Sequence, residues 1–210
     1  MSHDEWIFTC ESSVNNNSQL LNIEKMLFPL KIYDLDIHCY IIPIKAIWAG
    51  HLFDYKISSC DFWGAQEKQL WNIENVYFRH KKPITEISPA RILWYVSEDK
   101  KDNSSRSKAI VATSYLDEVM TGKPKDLYST NKHFGIYEWK DIFALSDNNI
   151  NKDIRALRFS RTEVFDKTVS YKAINQIFET YGKKISTFNS PVQISIDIFN
   201  QIYKLRNGKK

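Results

Sequence analysis

Cysteine is scarce in this chain of 210 residues, which carries three, at positions 10, 39 and 60. An odd, widely spaced set with no CxxC and no histidine at ligand spacing excludes a disulfide framework and a zinc site. It fits buried thiols in a reducing compartment. Histidine is equally sparse: the five residues His3, His38, His51, His80 and His133 never fall at a spacing that would pair them. The opening MSHDEWIFTC has neither a basic n-region nor an apolar h-region, and no hydrophobic run approaches a membrane span. A cytoplasmic protein with no membrane partner is expected. P-loop, GxGxxG, GxSxG and HExxH patterns are all missing, so no nucleotide-hydrolysing, dinucleotide, serine-hydrolase or zinc-protease chemistry is signalled. No cofactor, no metal and no catalytic residue is therefore expected.

What the chain does contain is apolar and aromatic material. At 43% hydrophobic residues it can bury a sizeable core without staples. Its net charge of +4 is unevenly placed, because residues 1–50 hold six acids and three bases. The remainder therefore carries +7, a balance that permits an anionic partner without requiring one.

Periodicity divides the chain into short elements. SQLLNIEKMLF has helical spacing, with Ser18 as a cap and Pro29 as a stop. IHCYIIPI reads as a buried strand, KAIWAGHLF as a short helix or turn, and NVYFRH as a strand. EWIFTC and YKISSC are further strand candidates, and AQEKQLW is one or two helical turns. The strongest strand pair is Arg91–Ser97 with Ala109–Leu116, joined by a polar loop containing Asn103, Ser104 and Ser105. HFGIYEWKDIFAL crosses from strand to helix, and IRALRFSRTEVF is a strand that turns polar halfway. Ser170 and Ser195 cap two amphipathic helices that stop at Gly182 and Gly208. Strands outnumber helices and no βαβ alternation appears. The expected class is α+β, a curved or barrel-like sheet with short peripheral helices.

Nine aromatic residues lie between Phe53 and Tyr95, interleaved with Arg79, His80, Lys81, Lys82 and Arg91. Planar rings stack on bases while lysine and arginine neutralise phosphate, so this mixture suits a nucleic-acid reader. The same rings also fill the core of a small barrel. In VYFRH, strand alternation places Tyr77 and Arg79 on one face. In RALRFSRTEVF it gives a polar stripe of Arg158, Ser160 and Thr162, suited to a base edge or to a strand running out into solvent. Trp94 and Tyr95 stand in one strand of the hairpin, opposite the small hydroxyls of Thr113 and Ser114 with Tyr115 beyond. That arrangement makes either a core or a slot with one flat wall. Asp117 and Glu118 follow as turn caps or as acceptors for an exocyclic amine.

ARILWYVS, KAIVATSYLDEV, PKDLY…HFGIYEWKDI, IRALRFSRTEVF and SPVQISIDIFNQIY, in this order, resemble bacterial PUA-like domains of the EVE and ASCH branches. Relatives with this run also occur fused behind GNAT-type acetyltransferase domains. The resemblance spans roughly residues 37–210, leaving 1–36 as an N-terminal extension. It implies a PUA-like barrel that recognises RNA or a modified base without catalysis. The glycine, lysine, glutamate and arginine of the ASCH motif do not recur at fixed spacing. The expected ligand is RNA or a modified nucleotide. Phosphates would meet Arg79, Lys81, Lys82 and the lysines of the 98–108 loop. The base would lie near Tyr77, Trp94, Ser97, Ser114 and Tyr115, its edge read by Arg158, Ser160 and Thr162. Two alternatives stand beside this: a nuclease or hydrolase using His80 or Glu163 with Arg158, and a protein-interaction domain partnered with an acetyltransferase or a defence system.

Overall fold

The structure is a computed structural model that describes residues 17–53, 73–83, 85–97 and 108–207. EWIFTC, YKISSC, AQEKQLW, Cys10, Cys60, Lys100 and Lys101 lie outside the described residues, as does Gly208.

The described strands are β1 (His38–Ile44), β2 (Glu74–His80), β3 (Ala90–Val96), β4 (Ala109–Gly122), β5 (Ile154–Ser170) and β6 (Val192–Ile194). They form one mixed sheet in the order β2-β5-β4-β3-β1-β6. β1 and β3 run parallel, and every other pairing is antiparallel. The hairpin register runs from Ala90 opposite Leu116 to Val96 opposite Ala109, with a bulge at Trp94/Tyr95. Among the described residues six helices surround the sheet: α1 (Asn17–Met26), α2 (Ala46–Phe53), α3 (Pro124–Asn131), α4 (Trp139–Leu145), α5 (Tyr171–Thr180) and α6 (Ile196–Lys204). Ser170 and Ser195 accept hydrogen bonds from the third amide of the helices they precede, as the capping pattern requires. Gly182 follows α5 at φ 67°, the left-handed conformation that glycine adopts without strain.

Both faces of the central strands are covered, which explains their continuous apolar runs. Tyr40, Ile42, Ile92, Trp94 and Val96 belong to a cluster with α2, β2 and Ile142 of α4, while Ile41, Leu93 and Tyr95 pack with Phe178 of α5 and Phe199 of α6. Strand alternation thus divides neighbours between two cores.

The sheet is not closed, so the barrel expectation becomes an open, strongly curled sheet with β2 and β6 at its edges. Three strands separate β2 from β1. In a flat sheet that spacing would be about 19 Å, at about 4.8 Å per strand. Yet the Tyr77 hydroxyl donates to the Pro43 carbonyl at 3.3 Å. A tyrosine side chain cannot span the flat distance, so the β2 edge must curl toward β1. HFGIYEW also departs from its strand reading: only α4 is regular there, and the Phe134 carbonyl accepts from Val76. A Cβ at Gly135 would lie 2.8 Å from Val76 Cγ1, so glycine is needed where this segment crosses β2.

Residues 17–37 are pinned to the sheet. Glu24 of α1 is buried and receives Arg91 of β3 through both Nε (3.0 Å) and Nη2, the Tyr115 hydroxyl at 2.8 Å and the Ile32 amide at 2.7 Å. Lys31 donates to the Tyr115 oxygen at 2.9 Å. Its ammonium also lies 4.5 Å from the Tyr115 ring centre and 5.7 Å from that of Tyr203. Burial pulls the Lys31 amine down to about 8, against the pull of Glu24 and Glu163. The unfolded chain holds that proton up to the ordinary value of 10.5, so above pH 8 the unfolded state binds more protons. Stability should therefore rise from about pH 8, at no more than about 1.4 kcal/mol per pH unit for one proton. From about pH 9 the trend is opposed. Burial pushes the Cys39 thiol up to about 12 from its ordinary 9.0 and also raises Tyr115 and Tyr203 above 10.0, so these groups ionise first in the unfolded chain. Urea melts at about pH 7.5 and pH 9.0 test this, and the rise between them should be lost in Lys31→Met.

Candidate functional site

The curl opens a cleft of about 560 Å³ at the carboxyl ends of β1 and β2. That volume falls within the range of small-ligand sites. Pro43, Ile44 and Lys45 come from β1 and the residue after it, Trp48 from α2, and Tyr77 to His80 from β2. Lys82, Ser97, Tyr137, Asp141 and residues 189–191 complete the lining.

Its rings meet around Tyr137. Trp48 lies 4.5 Å away between ring centres, and Phe78 packs edge-on at 5.3 Å. Tyr77 reaches Tyr137 from 6.4 Å. Trp48 is half-buried and keeps an open edge, whereas Tyr137 is only 6% exposed. The Tyr137 hydroxyl is sealed from solvent beside the Phe78 backbone, with no well-formed hydrogen bond among the described residues. Burial pushes Tyr137 well above the ordinary tyrosine range, and burial raises Tyr77 to about 12. Both are neutral phenols at physiological pH, fitted to hydrogen bonding and not to base catalysis.

The rim is cationic. Lys45 and Lys82 are exposed, and neither has an acidic partner among the described residues. The lining acid, Asp141, accepts from the Glu138 amide at the start of α4, so its carboxylate is engaged locally. Arg79 is buried with Glu86, 3.3 Å away, and a second guanidinium, that of Arg155, lies 2.5 Å from the same carboxylate.

Tyr77, Arg79, Lys82 and Ser97 of the expected site are thus brought together, with His80 beside them. The others lie elsewhere. Trp94 is fully buried, packed on Phe53 (5.4 Å) and Phe159 (4.8 Å), and its Nε1–H donates to Ser114 at 2.9 Å. Ser114 in turn bonds Thr162 at 2.8 Å. These three form an interior chain of hydrogen bonds, so the expected flat wall is a core residue. Tyr115 is buried on Glu24, in a different cluster. Lys81 pairs with Asp153 at 2.9 Å, which Lys123 also approaches at 2.8 Å. Arg158 bridges to Glu118 at 2.8 Å, and Ser160 is 7% exposed in β5, opposite Tyr115. The polar stripe is therefore used along the β4–β5 ladder. Glu163 is held by Tyr203 at 2.7 Å and Arg206 at 2.8 Å, while His80 lines the cleft.

Lys45, Trp48 and Tyr137 were not singled out from the sequence. One signal was available: Lys45 and Trp48 are three apart at the start of a helix and share a face. Nothing local indicated that Tyr137 would join them.

No family model and no curated protein matches this chain. Solved structures do. The ASCH protein of Zymomonas mobilis aligns at TM-score 0.56 and 14% identity, covering 80% of this chain and 94% of that one. A single-residue mutant of the same protein gives TM-score 0.57 at 12% identity, covering 80% and 95%. The N-terminal domain of Staphylothermus marinus McrB aligns at TM-score 0.41 and 13% identity, over 79% of this chain and 93% of that domain. The described chain thus shares the α+β fold of the Zymomonas mobilis ASCH protein.

Proposed function

We propose that this protein is a binding module for RNA or a modified nucleotide, with the base taken up in the cleft against the half-buried indole of Trp48. The observation that carries this reading is one cavity joining a half-buried indole with two exposed lysines that have no acidic partner among the described residues. The indole supplies a stacking surface, and the Ser97 hydroxyl can meet polar atoms of a heterocycle. Lys45 and Lys82 stand where phosphates would approach. Nothing in this arrangement needs bond cleavage.

Fluorescence anisotropy with labelled RNA and modified DNA oligonucleotides, over a range of salt, tests it. Stacking contributes roughly 1–3 kcal/mol per base, so Trp48→Ala should weaken binding about 10- to 100-fold. Neutralising Lys45 or Lys82 should flatten the salt dependence by about one counterion each. No binding to any probe, or binding indifferent to salt, would overturn the proposal. Binding unchanged by Trp48→Ala in a folded protein would remove the cleft from it.

A further inference from the structure

We propose that the Lys45, Arg79 and Lys82 side of the cleft is a phosphate subsite, so that a nucleotide is held there by its phosphoryl group. The inference rests on the reading of the cleft just given, yet its own basis is the charge buried behind it.

Arg79 and Arg155 are 8% and 4% exposed and share one carboxylate, that of Glu86, which is itself sealed from solvent. Among the described residues, two guanidinium groups and one carboxylate leave a surplus of one positive charge here. Such a surplus is unfavourable unless an anion offsets it. Glu86 is the acid these two groups share: Oε2 accepts from Arg155, and Oε1 lies 3.3 Å from Arg79 Nη1 without a well-formed hydrogen bond. Arg155 is turned inward as well. It donates from Nη1 to the Glu86 carboxylate and from Nη2 to the Glu86 carbonyl at 3.1 Å.

Arg79 is the member of this trio that lines the cleft. It uses three of its five N–H donors: Nη1 and Nη2 each donate to the Pro83 carbonyl, at 3.0 and 3.1 Å, and Nη1 also meets Glu86. Its Nε–H and second Nη2–H have no acceptor among the described residues. Burial, and to a lesser degree Arg155, hold Arg79 below its ordinary value, opposed by Glu86. An anion nearby would relieve that strain. Lys45 and Lys82 border the same cavity without an acidic partner among the described residues, and a guanidinium and two ammonium groups lining one cavity suit a tetrahedral oxyanion. A carboxylate ligand would engage the guanidinium but leave the lysines with fewer oxygens to meet.

Arginine Nε–H NMR on the full chain gives the test, at constant ionic strength, with three probes: inorganic phosphate, uridine 5′-monophosphate and uridine. Phosphate and the monophosphate should shift the Arg79 signal saturably, and uridine should not. The Lys45→Ala/Lys82→Ala protein, altered only at exposed positions, should bind phosphate at least about fivefold more weakly. A linear, unsaturable drift, or equal affinity in the double variant, overturns the subsite. A response to uridine equal to that of its monophosphate overturns it too, while leaving the base-binding reading intact. A saturable response to phosphate but not to the monophosphate upholds the subsite and counts against the nucleotide reading instead.

Discussion

Glu24→Ala should lower folding stability by about 3–5 kcal/mol, the cost of removing one partner from a buried ion pair. The loss goes beyond one contact. Arg91, wholly buried, would keep its charge with only the Ile32 carbonyl, 2.7 Å away, as a described acceptor. The Tyr115 hydroxyl and the Ile32 amide would lose their acceptor in the same change. Each of these is a buried polar group left unpaired, which is why the single substitution costs more than the pair itself contributes. Urea denaturation measures it. A Glu24→Met/Arg91→Met double variant should recover much of the loss, since apolar replacement of both members of a buried pair is often near neutral. The same physics bears on the boundary drawn at residue 37. If α1 and its loop supply the counter-charge for β3, a protein lacking residues 1–36 should be destabilised at least as much as Glu24→Ala. A truncated protein as stable as the full chain, or a Glu24→Ala cost below about 1 kcal/mol, would make 1–36 a true appendage.

The fold was legible where one periodicity ruled. Ile92, Trp94 and Val96 alternate with Leu93 and Tyr95, and the sheet sends these sets to opposite cores. Ser170 and Ser195 announced two helices that begin where those caps placed them. Charges were harder to place. On paper Glu24 is one more acid on an amphipathic helix, and nothing local distinguishes it from a solvated residue until Arg91, 67 positions away, is brought against it. Arg158 and Thr162 suffered the reverse error. A polar stripe on a strand looks available, but β4 supplies Glu118 and Ser114 to occupy it. The cleft shows the same limit. Tyr77, Arg79 and Lys82 were identifiable because they are close in sequence and mix a ring with cations. Lys45 and Tyr137 come from segments that meet only because the sheet curls, and curl depends on long-range pairing and twist that no short window contains.

Trp94→Ala should cost about 3–5 kcal/mol of stability, the range for deleting a large aromatic side chain from a core. In a protein of this size that corresponds to a fall in Tm of about 10 °C or more. Three rings surround the indole, those of Phe53, Tyr77 and Phe159, at 5.4, 5.5 and 4.8 Å. These contacts would open onto a void, and Ser114 would lose the N–H it accepts. Thermal denaturation followed by circular dichroism checks this, but loss of binding in such a damaged protein would say nothing about the ligand. Trp94→Phe is the informative companion. It keeps a ring in the core while giving up the hydrogen bond to Ser114 and part of the indole's volume, at about 1–3 kcal/mol. Because Trp94 lies beneath Tyr77 and does not itself line the cleft, the phenylalanine variant should bind RNA within about twofold of the parent. Trp48→Ala should show the opposite pattern, a large loss of affinity with little change in Tm, because its indole is only half-buried. Were Trp94→Phe to abolish binding at an unchanged Tm, the stacking surface would have to be sought at the hairpin, and the cleft at the curled edge would lose its claim to the base.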